Sequence, residues 1–134
     1  MQALDRRLVA VVFTDMVGYT ALMHADEQQA VERRNRYWRA VDRHHQAFGG
    51  TIVQRLGDGS MSMFPSSLAA VRATVEIQRE LAVGEIPVRV GIHVGEVTLD
   101  RERLTGEAVN IASRIRRGYG RLWVRSSQKT LDQT

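Results

Sequence analysis

Cysteine is absent from these 134 residues, which excludes disulfides and thiolate metal sites. Long apolar runs are absent too, and nothing approaches the roughly 20 residues needed to cross a bilayer as a helix. The apolar segment Leu8–Phe13 is too short for the core of a signal peptide and no cleavage site follows it. These absences point to the cytoplasm. Lysine is nearly missing: of 19 basic residues against 15 acidic ones, Lys129 is the sole lysine. The net charge of +4 is compatible with nucleic acid, an acidic membrane surface or a phosphate-bearing small molecule. The arginines, however, are scattered among acids, and no dense basic run stands beside stacking aromatics, so nucleic acid is set aside. There is no internal repeat, low-complexity segment or linker. The length fits one domain, 1–134, with one core, and 43% hydrophobic with 25% charged residues is ordinary for a globular chain.

Against that background the periodicities give an element order. Leu8–Phe13 is continuous, short and β-branched, and reads as a buried strand that Thr14–Gly18 interrupts. Asp26 and Glu27 suit a helix N-terminus; from there Val31, Trp38, Val41, His45 and Phe48 recur at helical spacing until Gly49-Gly50. Thr51–Leu56 and Ser60–Phe64 read as strands of a hairpin turning at Gly57-Asp58-Gly59. Pro65-Ser66-Ser67 opens a second helix with an expected core face of Leu68, Val71, Val75 and Ala82, and Gly84 stops it. Val88, Val90, Ile92 and Val94 alternate with Arg89, Gly91, His93 and Gly95, as in a strand with one apolar face. Glu107–Arg116 reads as a helix and Leu122–Val124 as a last short strand. The order β-α-β-β-α-β-α-β is the split βαβ, ferredoxin-like plan: an α+β fold with an antiparallel sheet and helices packed on one face.

Two carboxylates stand out. Asp15 directly follows a buried strand, where a negative charge costs solvation unless something positive meets it. Gly18 comes three residues later, then Tyr19-Thr20 where the chain turns toward a helix, an arrangement that lets backbone N–H groups face an anion. Asp58 is held between two glycines in a turn. Carboxylates from neighbouring strands beside a phosphate cradle make a site for hard cations and a triphosphate. Each alone has a plainer explanation, as a helix cap or as common Gly-Asp-Gly turn chemistry. Other residues carry structural readings only: Trp38 a core anchor, Met61 and Met63 gap fillers, His44 and His45 surface and edge-of-core residues, and His93 a residue of the polar strand face packed between glycines.

The combination resembles a known family. Phe13-Thr-Asp15-Met-Val-Gly18-Tyr-Thr20 resembles the first metal-binding motif of class III adenylate/guanylate cyclases, and Leu56-Gly-Asp58-Gly-Ser-Met61 their second. Gly91-Ile-His-Val-Gly95-Glu96 is similar to the strand leading into their dimer arm. Gly106-Glu-Ala-Val-Asn110-Ile-Ala-Ser-Arg114 resembles the segment carrying their transition-state pair. The four occur in the family's order from Phe13 to Arg114. The resemblance implies a nucleotide cyclase fold and conversion of a nucleoside triphosphate to a 3′,5′-cyclic nucleotide plus pyrophosphate. It implies two Mg²⁺ or Mn²⁺ ions per site at Asp15, Met16 and Asp58, and substrate contacts from Phe13, Val17, Gly18, Tyr19, Thr20 and Gly57. Asn110 would orient the ribose and Arg114 would stabilise charge on the α-phosphate. Those two lie four apart and share a helix face, which in the family completes the partner subunit's site. A homodimer with two equivalent sites is therefore implied, together with a fused or associated regulatory domain and no membrane insertion by this domain.

Departures from the family pattern concern the base. The positions that select adenine or guanine in the family hold Gln54 and Arg103 here. Glutamine both donates and accepts, so it could read an adenine or a pyrimidine edge; arginine only donates. ATP is the first expectation, as the commonest substrate of the family, with a pyrimidine (CTP or UTP) cyclase and a cyclase-like module without turnover as alternatives. A diguanylate-cyclase-like enzyme is disfavoured because its Gly-Gly-Glu-Glu-Phe hairpin is replaced by Gly57-Asp-Gly-Ser. The chain also ends soon after Leu122–Val124, where family domains generally continue with further strands, so the domain is expected to be short at its C-terminus.

Overall fold

The computed structural model describes residues 5–100, 103–105 and 122–125. Strand β1 (Asp5–Met16) leads into a short helix α1 (Tyr19–Ala25) and a long one, α2 (Glu27–Phe48). The hairpin β2 (Thr51–Arg55) and β3 (Gly59–Phe64) follows, then α3 (Ser67–Val83) and β4 (Val88–Asp100), with β5 (Arg103–Thr105) and β6 (Leu122–Arg125). The sheet runs β2-β3-β1-β4, with β5 continuing from β4, and all these pairings are antiparallel; β6 pairs with β4 in parallel at residues 90–93. This is the split βαβ plan, with β1 at its centre. The helix expected over Glu107–Arg116 lies outside the described residues.

β1 is longer than its apolar run suggested. It continues through Thr14, Asp15 and Met16, because ladder bonds to β3 and β4 on both sides hold these polar positions extended. Its alternation divides the sheet into two faces. Ala10, Val12 and Met16 join Val88, Val90, Ile92 and Phe64 beneath the helices, while Val9, Val11 and Phe13 cluster with Met61 and Val97 on the other face, where Met63 packs at the margin. Leu8 is mostly exposed despite opening the run.

The helices begin where capping chemistry allows. Asp26 accepts a hydrogen bond from the Gln29 N–H at 3.1 Å and Ser66 from the Ala69 N–H at 3.1 Å; each such cap stabilises its helix by about 1 kcal/mol. Gly49 ends α2 with φ 76°, a conformation open to glycine. The buried faces differ from those the spacing suggested. In α3 the core face is Ala70, Ala73, Thr74, Ile77 and Leu81, whereas Leu68 is exposed, Val71 and Val75 sit at the flank and Ala82 is exposed. In α2 it is Ala30, Tyr37, Ala40, Val41 and His45, with Trp38 and Phe48 packed at the edge. In both helices alanines share the buried stripe with a few large residues, Tyr37 in α2 and Ile77 and Leu81 in α3. Glu80 of α3 ties the helices together by taking both Arg43 and His44 of α2. His93, expected on a polar face, is buried, because β4 is covered on that side too.

His45 is sandwiched between α2 and β3. Its Nδ1 faces the Val41 carbonyl at 2.7 Å and its Nε2 the Ser62 hydroxyl at 2.8 Å. The neutral ring satisfies both, donating at Nδ1 and accepting at Nε2. Burial pushes its pKa below the ordinary 6.5. The unfolded chain therefore binds this proton more readily than the folded one. The contribution of His45 to stability is intact above about pH 6.5 and declines as the pH falls below it. Thermal melts at pH 7.5 and 5.5 should show a smaller drop in Tm for His45→Gln than for the parent protein.

Candidate active site

The end of β1 and the tip of the β2–β3 hairpin meet at one corner of the sheet. Register pairs Asp15 with Gly59 on one side and with Arg89 on the other. The hairpin is stitched to β1 by the Met16 N–H, which donates to the Asp58 carbonyl at 2.8 Å. Asp15 and Asp58 are thus brought to the same corner. The glycines that flank Asp58 each have a cause. Gly57 has φ 81°, where side chains are strained. At Gly59 a Cβ would lie 2.9 Å from the Thr14 carbonyl oxygen and 3.2 Å from the Asp15 Cβ, so only glycine lets β3 come this close to Asp15.

Asp15 lies on the sheet face away from the helices and its side chain is only 14% exposed. The positive partner that such a carboxylate demands is Arg89, whose Nε and Nη2 each donate to one carboxylate oxygen at 3.0 Å. This fork-to-fork pairing is the strongest geometry available to the two groups. Arg89 was not singled out from sequence. It stands in the polar half of an alternating strand, and only the antiparallel register of β1 and β4 reveals that it faces Asp15.

The hairpin is held from α2 by two consecutive aromatics. The Trp38 indole N–H donates to the Gly57 carbonyl at 2.8 Å, and Arg55 lies 4.5 Å over its ring while bonding Asp42 at 2.6 Å. Trp38 is therefore half-buried, packed against the edge of the core while its indole N–H holds the hairpin. Tyr37 reaches inward. Its hydroxyl lies 2.6 Å from the Thr14 Oγ1 and 3.2 Å from the Ser60 Oγ, and those two hydroxyls are 2.6 Å from each other. Burial, with smaller contributions from the negative charges of Asp15 and Asp58, raises the Tyr37 pKa to about 12, so the phenol stays protonated. Tyr37 also escaped sequence reasoning, since one tyrosine inside an amphipathic helix gives no local sign of a buried polar partner.

The other candidate positions fall as follows. Phe13 is buried beside Met61. The Met16 side chain lies in the core under the helices, so its main chain is the part that faces the corner. The Val17 N–H is donated to the Pro87 carbonyl at 3.0 Å. Gly18, with φ 74°, caps α1 without a side chain, and Tyr19 and Thr20 open that helix, where first-turn N–H groups have no intrahelical acceptor. Gln54 is exposed on β2, just past a bulge between Ile52 and Gln54. Arg103 begins β5 opposite Asp100, eleven residues along β4 from Arg89, or roughly 35 Å at strand rise. Asn110 and Arg114 lie outside the described residues. Among the described residues no three His, Cys, Asp or Glu side chains form a metal-binding group.

No family model matches the chain. It is 31% identical over 126 residues to a putative adenylate cyclase 3 of Rhizobium meliloti, covering 85% of this chain and 21% of that protein. It is 31% identical over 117 residues to an adenylate cyclase of Streptomyces coelicolor, covering 85% of this chain and 30% of that protein. The chain thus spans less than a third of the length of either relative. A crystal structure of an adenylate/guanylate cyclase/hydrolase from Silicibacter pomeroyi superposes with a TM-score of 0.80 at 32% identity, covering 92% of this chain and 77% of that one. The chain belongs to the class III adenylate/guanylate cyclase catalytic-domain family.

Removing Arg89 would take from the largely enclosed Asp15 the bidentate partner that β4 supplies. Arg89 is itself a third exposed, so water recovers part of the loss. Arg89→Leu should destabilise the protein by about 1–3 kcal/mol in denaturant titrations. The double variant Arg89→Leu/Asp15→Asn should lose less than the sum of the single losses.

Proposed function

We propose that this chain is the catalytic domain of a nucleotide cyclase that converts a nucleoside triphosphate, ATP first, into a 3′,5′-cyclic nucleotide and pyrophosphate, acting in the cytoplasm as a homodimer. The observation that carries the reading is the placement of Asp15, at the end of the central strand, beside the Gly57-Asp58-Gly59 turn. The donor chemistry suits Mg²⁺ or Mn²⁺. Asp15 and Asp58 bring carboxylate oxygens and Met16 a main-chain carbonyl, all hard donors, and Arg89 would have to yield the Asp15 oxygens it holds here for a cation to take them. Magnesium is commonly held by one or two carboxylates, with substrate phosphates and water completing its shell. Asp15, Asp58 and the main chain at Met16 would hold the two ions. These would lower the pKa of the ribose 3′-hydroxyl and neutralise the phosphates.

The remaining work is positioning and charge stabilisation. The 3′-oxygen attacks the α-phosphorus and loses its proton, the bond from that phosphorus to the β-phosphate bridging oxygen breaks, and pyrophosphate leaves. Gly18, Tyr19 and Thr20, at the start of α1, would offer N–H groups to the phosphate tail, with Phe13, Val17 and Gly57 as further substrate contacts. Asn110 orients the ribose and Arg114 takes charge developing on the α-phosphate. The distance of β5 from Asp15 supports the dimer. Arg103 stands far from its own chain's carboxylates along β4, and a twofold partner would let segments beyond β4 serve the second site. A regulatory domain, fused or associated, would control that assembly.

Base choice rests on Gln54 and Arg103. Gln54 is exposed on β2 with an amide that both donates and accepts, which equally suits a pyrimidine edge, so a CTP or UTP cyclase is the second reading.

Incubation with ATP, GTP, CTP or UTP and Mg²⁺ or Mn²⁺, with products resolved by chromatography, tests activity and base together. One cyclic product is expected; none at high protein concentration would favour a binding or dimerisation module. Asp15→Ala should abolish turnover in a folded protein, and Arg114→Ala should cost about 10²–10³ in kcat.

A further inference from the structure

Asp58 sits on a turn, and a turn is ordinarily the most mobile part of a hairpin. Here both of its shoulders are gripped by one turn of α2. On the outer side the Trp38 indole holds the carbonyl of Gly57, the residue before Asp58, at 2.8 Å. Trp38 is in turn braced by the Arg55 guanidinium and, through it, by Asp42. On the inner side the Tyr37 hydroxyl holds Ser60, two residues after Asp58, and also Thr14, the residue before Asp15. Thr14 and Ser60 are cross-strand partners, fully buried, and hydrogen-bonded to each other. Tyr37 makes a second, longer approach to the Thr14 carbonyl at 3.4 Å, the oxygen against which Gly59 packs. The rings of Tyr37 and Trp38 meet edge to face at 5.0 Å, so the two grips are mechanically one.

This placement is unusual for core polar groups. Thr14 and Ser60 occupy buried sheet positions where valine and alanine, respectively, would pack without needing a partner. Their hydroxyls instead receive the phenol of α2 immediately behind both carboxylate-bearing segments. The side chains of Thr14 and Asp15 point to opposite faces of β1 by strand alternation. The network hydrogen-bonds neither carboxylate in the pairs described, and its hold on their geometry runs through their backbones.

We infer that Tyr37 and Trp38 are positioning residues that fix the separation of Asp15 and Asp58, so that α2 presets the cation site from behind. The inference rests on the reading of Asp15 and Asp58 as cation ligands. Outer-sphere partners of metal ligands typically change metal affinity by about 10–100-fold when removed.

The test is Mn²⁺ binding to the full chain, followed by the electron paramagnetic resonance signal of free Mn²⁺ well below Tm, with Tm measured alongside. Tyr37→Phe and Trp38→Phe should each weaken Mn²⁺ binding about tenfold. Ser62→Ala is the control: it breaks the buried His45–Ser62 bond between α2 and β3, farther along the strand. It should lower Tm while leaving Mn²⁺ affinity within about twofold, as expected of a purely structural contact. Thr14→Ser, which keeps the hydroxyl, should retain the affinity that Thr14→Val loses. If Tyr37→Phe does not fold, Trp38→Phe, at a half-buried position, and the Thr14 pair decide the matter. Normal Mn²⁺ binding by Tyr37→Phe, Trp38→Phe and Thr14→Val would overturn the positioning role, as would an equal loss in Ser62→Ala. Asp58→Asn separates the two levels: unchanged Mn²⁺ binding in that variant would sink the cation site itself, whereas weakened binding there with normal binding in the aromatic variants would sink only the inference about α2.

Discussion

The antiparallel pairing of β1 with both of its neighbours is the constraint on which the site depends. A central strand has no freedom to slip, because a one-residue shift would exchange its two faces. That would drive Asp15 and Phe13 under the helices and turn Val12 and Thr14 to the opposite face, away from the Tyr37 phenol. With register locked, Asp15 stands opposite Gly59 and Arg89. The glycine permits the hairpin to approach, and the arginine makes an enclosed carboxylate tolerable.

The polar network behind the site follows from the same register. Even-numbered residues of β1 face α2, so Thr14 meets Ser60 and the Tyr37 phenol, while odd-numbered Asp15 faces the other way. A buried hydroxyl costs free energy unless it is partnered, and here each has at least one partner. The same strand thus carries core packing, a satisfied polar knot and a charged site within five residues. An acid placed at the end of such a strand is held more firmly than a loop residue could be, which suits a chemistry of positioning and charge neutralisation.

Family membership and the placement of the two acids reinforce one another without being the same argument. The likeness to adenylate and adenylate/guanylate cyclases covers most of this chain but only part of the curated relatives. It speaks to the catalytic fold. The corner built by Asp15, Asp58 and Gly59 rests on separate ground, since Gly59 has no room for a side chain against Asp15 and Thr14.

Much of the fold could be read directly. Alternation at Val88–Val94, the helix starts at Asp26-Glu27 and Pro65-Ser66-Ser67 and the hairpin around Gly57-Asp58-Gly59 are local signals, determined by backbone chemistry within a few residues. The two acids and the order of the motifs around them were equally open to inspection. Which stripe of α3 turns inward, the extension of β1 through Asp15, the burial of His93, and the partnerships of Arg89, Tyr37 and Trp38 were settled only in three dimensions. Each joins residues from 19 to 74 positions apart or depends on which of several apolar faces the sheet accepts. Short-range periodicity contains no term for register between distant strands, and register is what sets a guanidinium against one carboxylate and a helix behind the other.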